Sequence, residues 1–234
     1  MPTDQREHIL NVAIDLFAVR GFHGTSVRTI STAAGVNVAM VNYYFGTKVK
    51  LLEAVFERFF SALRGALQNA LPAPPADTSH GDRFPGSLVQ ARLSRIPALI
   101  VPVIRQNERC FRVVLREMIL QHPDHQALCT RYIQSFLPLL YGPLYDSFLA
   151  AAHHGEALRV GPGGMRLDIA GPAMGGMIFS HFLLGFVIPR VTGLEYGEEF
   201  FREYESTLSR MIAAVLGGPA PAPAAADAPP EVSP

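Results

Sequence analysis

Between Thr25 and Lys48 the chain gathers hydroxyl, amide, phenol and cationic groups at a spacing suited to a polyanion. The spacing predicts a short helix over about Val27 to Ala34, with Thr25 or Ser26 as its cap and Gly35 ending it in a left-handed turn. Asn37 then caps a third helix that runs to Phe45 and stops at Gly46. Two short helices joined by Ala34-Gly35-Val36-Asn37 make a helix-turn-helix, whose second helix fits a DNA major groove about 12 Å wide. Val38, Val41 and Phe45, at i, i+3 and i+7, are predicted to point back as core. That leaves Ala39, Met40, Asn42 and Tyr43 outermost, with Tyr44 at the margin. Small, apolar and amide groups suit base edges and thymine methyls, and tyrosine hydroxyls suit phosphates. Arg28 and Lys48 flank this face, and Thr25 or Ser26 stands at a helix N-terminus able to bind phosphate.

Other clusters invite other chemistry. Arg83, Arg92, Arg95, Arg105, Arg109, Arg112 and Arg116 face only Glu108 in their span. They could hold an anion, but pairing with Glu195, Glu198, Glu199, Glu203 and Glu205 is the favoured reading. Phe111, Met118, Phe136, Tyr141, Phe148, Met174, Met177, Phe182 and Phe186 either line a cavity for an apolar small molecule or are plain core. Cys110 and Cys129 are expected as buried thiols rather than a redox pair. His122/His125 and His153/His154 have no obvious third ligand, so no metal and no cofactor are expected, and these are taken as helix-end or surface histidines. The chain has no GxSxG, no GxxxxGK[ST], no GxGxxG after a strand and no HExxH, so catalysis is not expected.

The elements that must position these groups are helical. The 234 residues are 49% hydrophobic and carry 20 Lys+Arg against 20 Asp+Glu, so any attraction to phosphate must be local. Residues 1–64 hold seven cations and five acids, a modest excess. Ile9, Val12, Ala13, Leu16 and Phe17 stripe a first helix, opened by a capping box of Asp4 and Glu7 and closed by Gly21. Leu51, Leu52, Val55, Phe56, Phe59 and Phe60 stripe a fourth, opened by Thr47 and running to about Ala70. After a Pro-rich linker at 71–87, helical periodicity resumes, with a kink or break expected at Pro97, Pro102, Pro138 and Pro143. Ile169 to Pro189 is uncharged and long enough to span a bilayer, but its prolines, glycines and His181 favour a helix buried on most sides in a bundle or dimer core. A last helix covers about 198–216, and the low-complexity tail 218–234 is expected to be disordered. No run alternates with period 2, so the chain is predicted to be all-α. The charged start lacks a signal-peptide pattern and two cysteines make no disulfide framework, which fits a cytoplasmic protein.

The stretch Gly21-Phe22-His23-Gly24-Thr25-Ser26-Val27-Arg28-Thr29-Ile30, then Ala33-Ala34-Gly35-Val36-Asn37, then Tyr43-Tyr44-Phe45-Gly46-Thr47-Lys48 with Leu51-Leu52, resembles the N-terminal domain of the TetR family of bacterial transcriptional regulators. Asn42 stands where a phosphate-contacting tyrosine is commonest in that family. The resemblance implies a DNA-binding domain over 4–64, with the motif at about 27–46, and an effector-binding and dimerisation domain over 82–217, about nine helices in all. It further implies a homodimer, a near-palindromic operator with half-sites ~34–36 Å apart, and release by a small apolar effector. A family-like protein acting through protein partners is the alternative. On that reading Thr25, Ser26, Arg28, Asn37, Ala39, Met40, Asn42, Tyr43, Tyr44 and Lys48 contact DNA, while Gly171, Gly175, Tyr204, Leu208 and Met211 lie in the dimer interface.

Overall fold

The computed structural model describes residues 2–70, 86–120, 122–142, 144–160, 165–185 and 187–217. Most of the 71–87 linker, Arg83, Pro143, the Gly161 to Gly164 turn, Phe186 and the tail lie outside them. The described residues form α1 (Pro2–Arg20), α2 (Val27–Ala33), α3 (Val38–Phe45), α4 (Lys48–Ala70), α5 (Gly86–Leu93), α6 (Ile96–Gln106), α7 (Glu108–Leu120), α8 (Pro123–Tyr141), α9 (Leu144–His153), α10 (Leu167–Leu183), α11 (Ile188–Thr192) and α12 (Glu198–Val215). The fold is all-α, with more helical segments than the nine or so expected, because breaks at Ser94–Arg95 and near Tyr141 divide longer runs. One departure is an antiparallel pair, β1 (Arg159–Val160) with β2 (Met165–Arg166). Two residues a side are too few to show alternation in a sequence.

Local chemistry explains the helix ends of the N-terminal part. Helix α1 begins at Pro2, so Asp4 sits in its first turn and complements the helix dipole instead of capping it. The Ser26 side chain accepts from the Thr29 N–H, and the Asn37 Oδ1 accepts from the Met40 N–H at 2.8 Å. Thr47 Oγ1 accepts from the Lys50 N–H and opens α4. Gly35 sits at φ +63°, a conformation that a Cβ would strain, and it forms the turn between α2 and α3.

By packing, the chain divides into two units, Met1–Ala70 with Pro102–Leu139, and Leu71–Val101 with Leu140–Pro234. In the first, α1, α2, α3, α4 and α7 share a core of Ile9, Phe17, Ile30, Leu51, Phe56 and Val113, all essentially inaccessible to solvent. Burying a side chain of this size stabilises the fold by roughly 1.5–3 kcal/mol. Polar anchors tie α8 to α4: the Tyr132 hydroxyl donates to Glu57 at 3.0 Å, and Arg131 donates to Glu53. In the second unit α12 packs on α5 and α10, and β2 lies beside α10. Helix α10 buries Leu167, Ala170, Met174 and Ile178 along one stripe. Its other side leaves Ile169 and Leu183 exposed, so among the described residues of one chain the helix is buried on one face. Among the described residues no helix is long and apolar enough to cross a membrane.

Candidate nucleic-acid interface

Helix α3 has two unlike faces. Val41 and Phe45 are buried against the neighbouring helices, and Arg6 lies over the Phe45 ring. Ala39, Asn42 and Tyr43 are exposed, Tyr43 to 81%, and Met40 and Tyr44 are half-buried. The Tyr43 and Tyr44 rings meet edge to face at 5.2 Å, which stiffens two phenols side by side. Val38 is the exception to the predicted core. It is 40% exposed, because the first residue of a short helix lies beyond the reach of the helices that cover Val41 and Phe45.

The flanking groups separate into outward and inward sets. Arg28 and Ser26 are exposed at the start of α2, where free N–H groups and the helix dipole favour an anion. Thr25 is fully buried, and its hydroxyl donates to the Gly21 carbonyl at 2.9 Å. Lys48 also turns inward: its Nζ donates to the carbonyls of Phe22 (3.0 Å) and Thr25 (3.1 Å) and sits 4.0 Å from the Phe22 ring centroid. Burial lowers the pKa of this ammonium, against the opposing pull of the Glu117 carboxylate. Lys48 therefore clasps the α1–α2 loop to α4. Lys50, which the residue types alone did not single out, is exposed. Two residues on a helix are about 200° apart, so one lysine faces in and the other out.

The remaining candidate groups are distributed as follows. Phe111 packs on Phe59 and Phe136 on Phe60, each with centroids 5.6 Å apart, and with the half-buried Met118 they belong to the first unit. Tyr141 stacks on Phe148 and Phe182 on Phe201, and these belong with Met174 and Met177 to the second. Residue types could not reveal His181 and Tyr196, whose Nε2 and hydroxyl are buried without a hydrogen-bond partner among the rings of Phe200 and Tyr204. Of the residues expected at a dimer interface, Leu208 is buried in its own chain and Tyr204 donates to the Met177 carbonyl. A Cβ on Gly171 would collide with the Tyr141 hydroxyl, so that glycine admits its own chain's tyrosine. Met211 is exposed and Gly175 half-buried. Arg109 pairs with Asp15, Arg112 with Glu108, and Arg116 donates to the Phe17 carbonyl, partners quite different from the glutamates near α12. Both cysteines are free thiols, each with its pKa raised, chiefly by burial. His122 and His125 are joined in space by His23.

A capped α2, a left-handed Gly35 turn and an α3 with one buried and one open face define a helix-turn-helix domain. Residues 9–55 match the family described as bacterial regulatory proteins, tetR family. The N-terminal domain of this chain is thus a TetR-family domain. Over 114 residues the chain is 33% identical to the HTH-type transcriptional repressor Rv3405c of Mycobacterium tuberculosis, which covers 43% of this chain and 61% of that protein. It is 39% identical over 61 residues to the HTH-type transcriptional repressor NicS of Pseudomonas putida, covering 26% and 29%. The chain thus spans less than two thirds of the length of these curated relatives. Across nearly its whole length it shares the fold of the TetR family transcriptional regulator PfmR of Thermus thermophilus, with a TM-score of 0.56, 18% identity and coverage of 90% and 97%.

Proposed function

We propose that this protein is a sequence-specific DNA-binding transcriptional regulator, a repressor, and not an enzyme. The observation that carries the reading is the open face of α3, where Ala39, Asn42 and Tyr43 stand clear of a core sealed by Val41 and Phe45. In this reading Met40 and Asn42 lie nearest the bases and Tyr44 reaches a phosphate beside Tyr43. Arg28, Ser26 and Lys50 meet phosphates, while Asn37 contributes through the helix end that it caps. The inward ammonium of Lys48 and hydroxyl of Thr25 shape the domain from within.

The working unit is a cytoplasmic homodimer that holds a near-palindromic operator. Exposed Ile169 and Leu183 of α10 and Met211 and Val215 of α12 supply apolar surface for a second copy. An apolar effector in the second unit would meet Tyr141, Phe148, Met174, Met177 and Phe182, with the unpartnered His181 Nε2 and Tyr196 hydroxyl as polar anchors. It releases DNA to the extent that it binds the non-binding arrangement more tightly than the DNA-bound one.

Selection of duplexes from a random DNA pool by the purified protein, at a stated near-physiological salt, tests the reading. Enrichment of a near-palindrome is expected. Weak, salt-sensitive binding indifferent to sequence would overturn it. With the selected site in hand, Asn42→Ala is expected to change base preference by about 1–3 kcal/mol at one position per half-site. Equal loss on selected and random DNA refutes a base-reading role for Asn42.

A further inference from the structure

The α1–α2 loop and the start of α8 bring three imidazoles together. One nitrogen from each of His23, His122 and His125 lies within 4.8 Å of the others. His125 is 1% exposed, and its Nδ1 is 2.5 Å from Glu117 Oε2, itself on a 2% exposed side chain. That bond occupies Nδ1 and leaves Nε2, a buried nitrogen without any hydrogen-bond partner. Leaving a polar atom so placed is costly unless something meets it. His122 lies nearer the surface, where its Nδ1 accepts the Asp124 N–H at 3.4 Å. A histidine backed by a carboxylate at Nδ1, as His125 is by Glu117, is the arrangement that fixes tautomer and ring orientation in metal sites. The Phe22 ring stands edge-on to His125 at 4.5 Å and closes one side.

We propose that His23, His122 and His125 bind a divalent first-row transition ion, with Glu117 orienting His125. Three neutral nitrogens and no inner carboxylate select zinc, nickel, cobalt or copper over magnesium or calcium. Ligands about 2.0–2.1 Å from a tetrahedral ion stand roughly 3.4 Å apart, so the imidazoles close in by about an ångström on binding. His23 supplies that movement, since it is exposed on the loop of Gly21 to Gly24 whereas His125 is locked. The fourth position stays open to solvent or an anion.

The loop that moves is the one that Lys48 holds through Phe22 and Thr25, on either side of His23, and it leads directly into the Ser26 cap of α2. An ion pulling His23 toward α8 therefore acts on the position of α2. This regulatory half rests on the DNA-binding reading given above. The site itself does not.

The test uses the full chain without a histidine tag, stripped by chelator, titrated with Co2+ and then with Zn2+ in competition. One Co2+ per chain is expected, with the visible absorption of a low-coordinate nitrogen site, displaced by Zn2+ and unaffected by Mg2+. His23→Ala and His122→Ala, both at accessible positions, are expected to abolish the absorption with unchanged far-UV circular dichroism. Glu117→Gln is expected to weaken the affinity about 10- to 100-fold. No bound Co2+, or equal affinity in the wild type and both histidine variants, overturns the site. Zn2+ is expected to change affinity for a selected duplex at least tenfold in the wild type and not in His23→Ala. Equal affinity with and without Zn2+ overturns the coupling. Failure to select any duplex removes the DNA reading and the coupling together, while the Co2+ titration still decides the site.

Discussion

Among the described residues nothing covers the open face of α3 or the open faces of α10 and α12, yet they are made of different material. On α3 the exposed groups are Ala39, the Asn42 amide and the Tyr43 phenol, with Val38 at the edge, carried by an eight-residue helix with a side-chain cap at its start and Gly46 at its end. On α10 and α12 large apolar side chains, Ile169, Leu183, Met211 and Val215, are exposed among charged and small residues, on helices of 17 and 18 residues that have no side-chain hydrogen bond at their N-caps. A polar face keeps its value in water and waits for a polar ligand; an apolar face is held in water at a cost and is relieved by another apolar surface. The first face is therefore specified by local rules, and the second by what covers it.

The comparison breaks most visibly if the inner half of α3 is removed. Phe45→Ala deletes a buried ring, and a loss of about 3–5 kcal/mol is expected from urea unfolding, with DNA binding lost as α3 comes loose. A small loss would mean that α3 does not depend on its buried half.

On the other face, Met211→Glu together with Val215→Glu places charges on exposed positions of α12, so the chain should keep its helical content. Sedimentation is expected to show a dimer weakened at least tenfold, on the ~1.4 kcal/mol per decade scale of association. Unchanged mass would place the self-contact elsewhere.

The two lysines opening α4 sharpen the contrast between inward and outward charge. Lys48→Ala removes two charge-assisted bonds to carbonyls, and a stability loss of about 1–3 kcal/mol is expected. Lys50→Ala is expected to leave stability alone and flatten the salt dependence of DNA binding by about one phosphate. The reverse outcome would mean that Lys48 swings out to meet DNA.

The smallest effect concerns Tyr132, whose pKa is pushed up to about 12, first by burial and then by its bond to Glu57. The protonated phenol is the folded form, so its contribution is intact below the ordinary tyrosine value of 10.0 and is lost as pH rises toward about 12. Tyr132→Phe is expected to flatten the fall in denaturant midpoint across that window. An unchanged fall would locate the alkaline sensitivity in another group.

The helix-turn-helix was legible because its signals are local: Ser26 and Asn37 cap, Gly35 turns, and both bonds close within three residues. Val38 shows where periodicity overreached, for a stripe says which residues could share a face and not how far the covering helix extends. Arg109 shows the same limit for charge, since its partner Asp15 lies 94 residues away, whereas Arg112 pairs with Glu108 only one turn away.

By itself the sequence determined the helical class, the first four helices and the two-faced α3, because hydrogen bonds over three or four residues and a 3.6-residue stripe suffice for each. Only the tertiary structure decided which of two neighbouring lysines faces solvent, which aromatic residues share a core, and that His23 meets two histidines about a hundred residues along the chain. Those outcomes depend on the packing of α7 and α8 against α1 and α4, and distances across such packing are set by the shapes of all the helices at once.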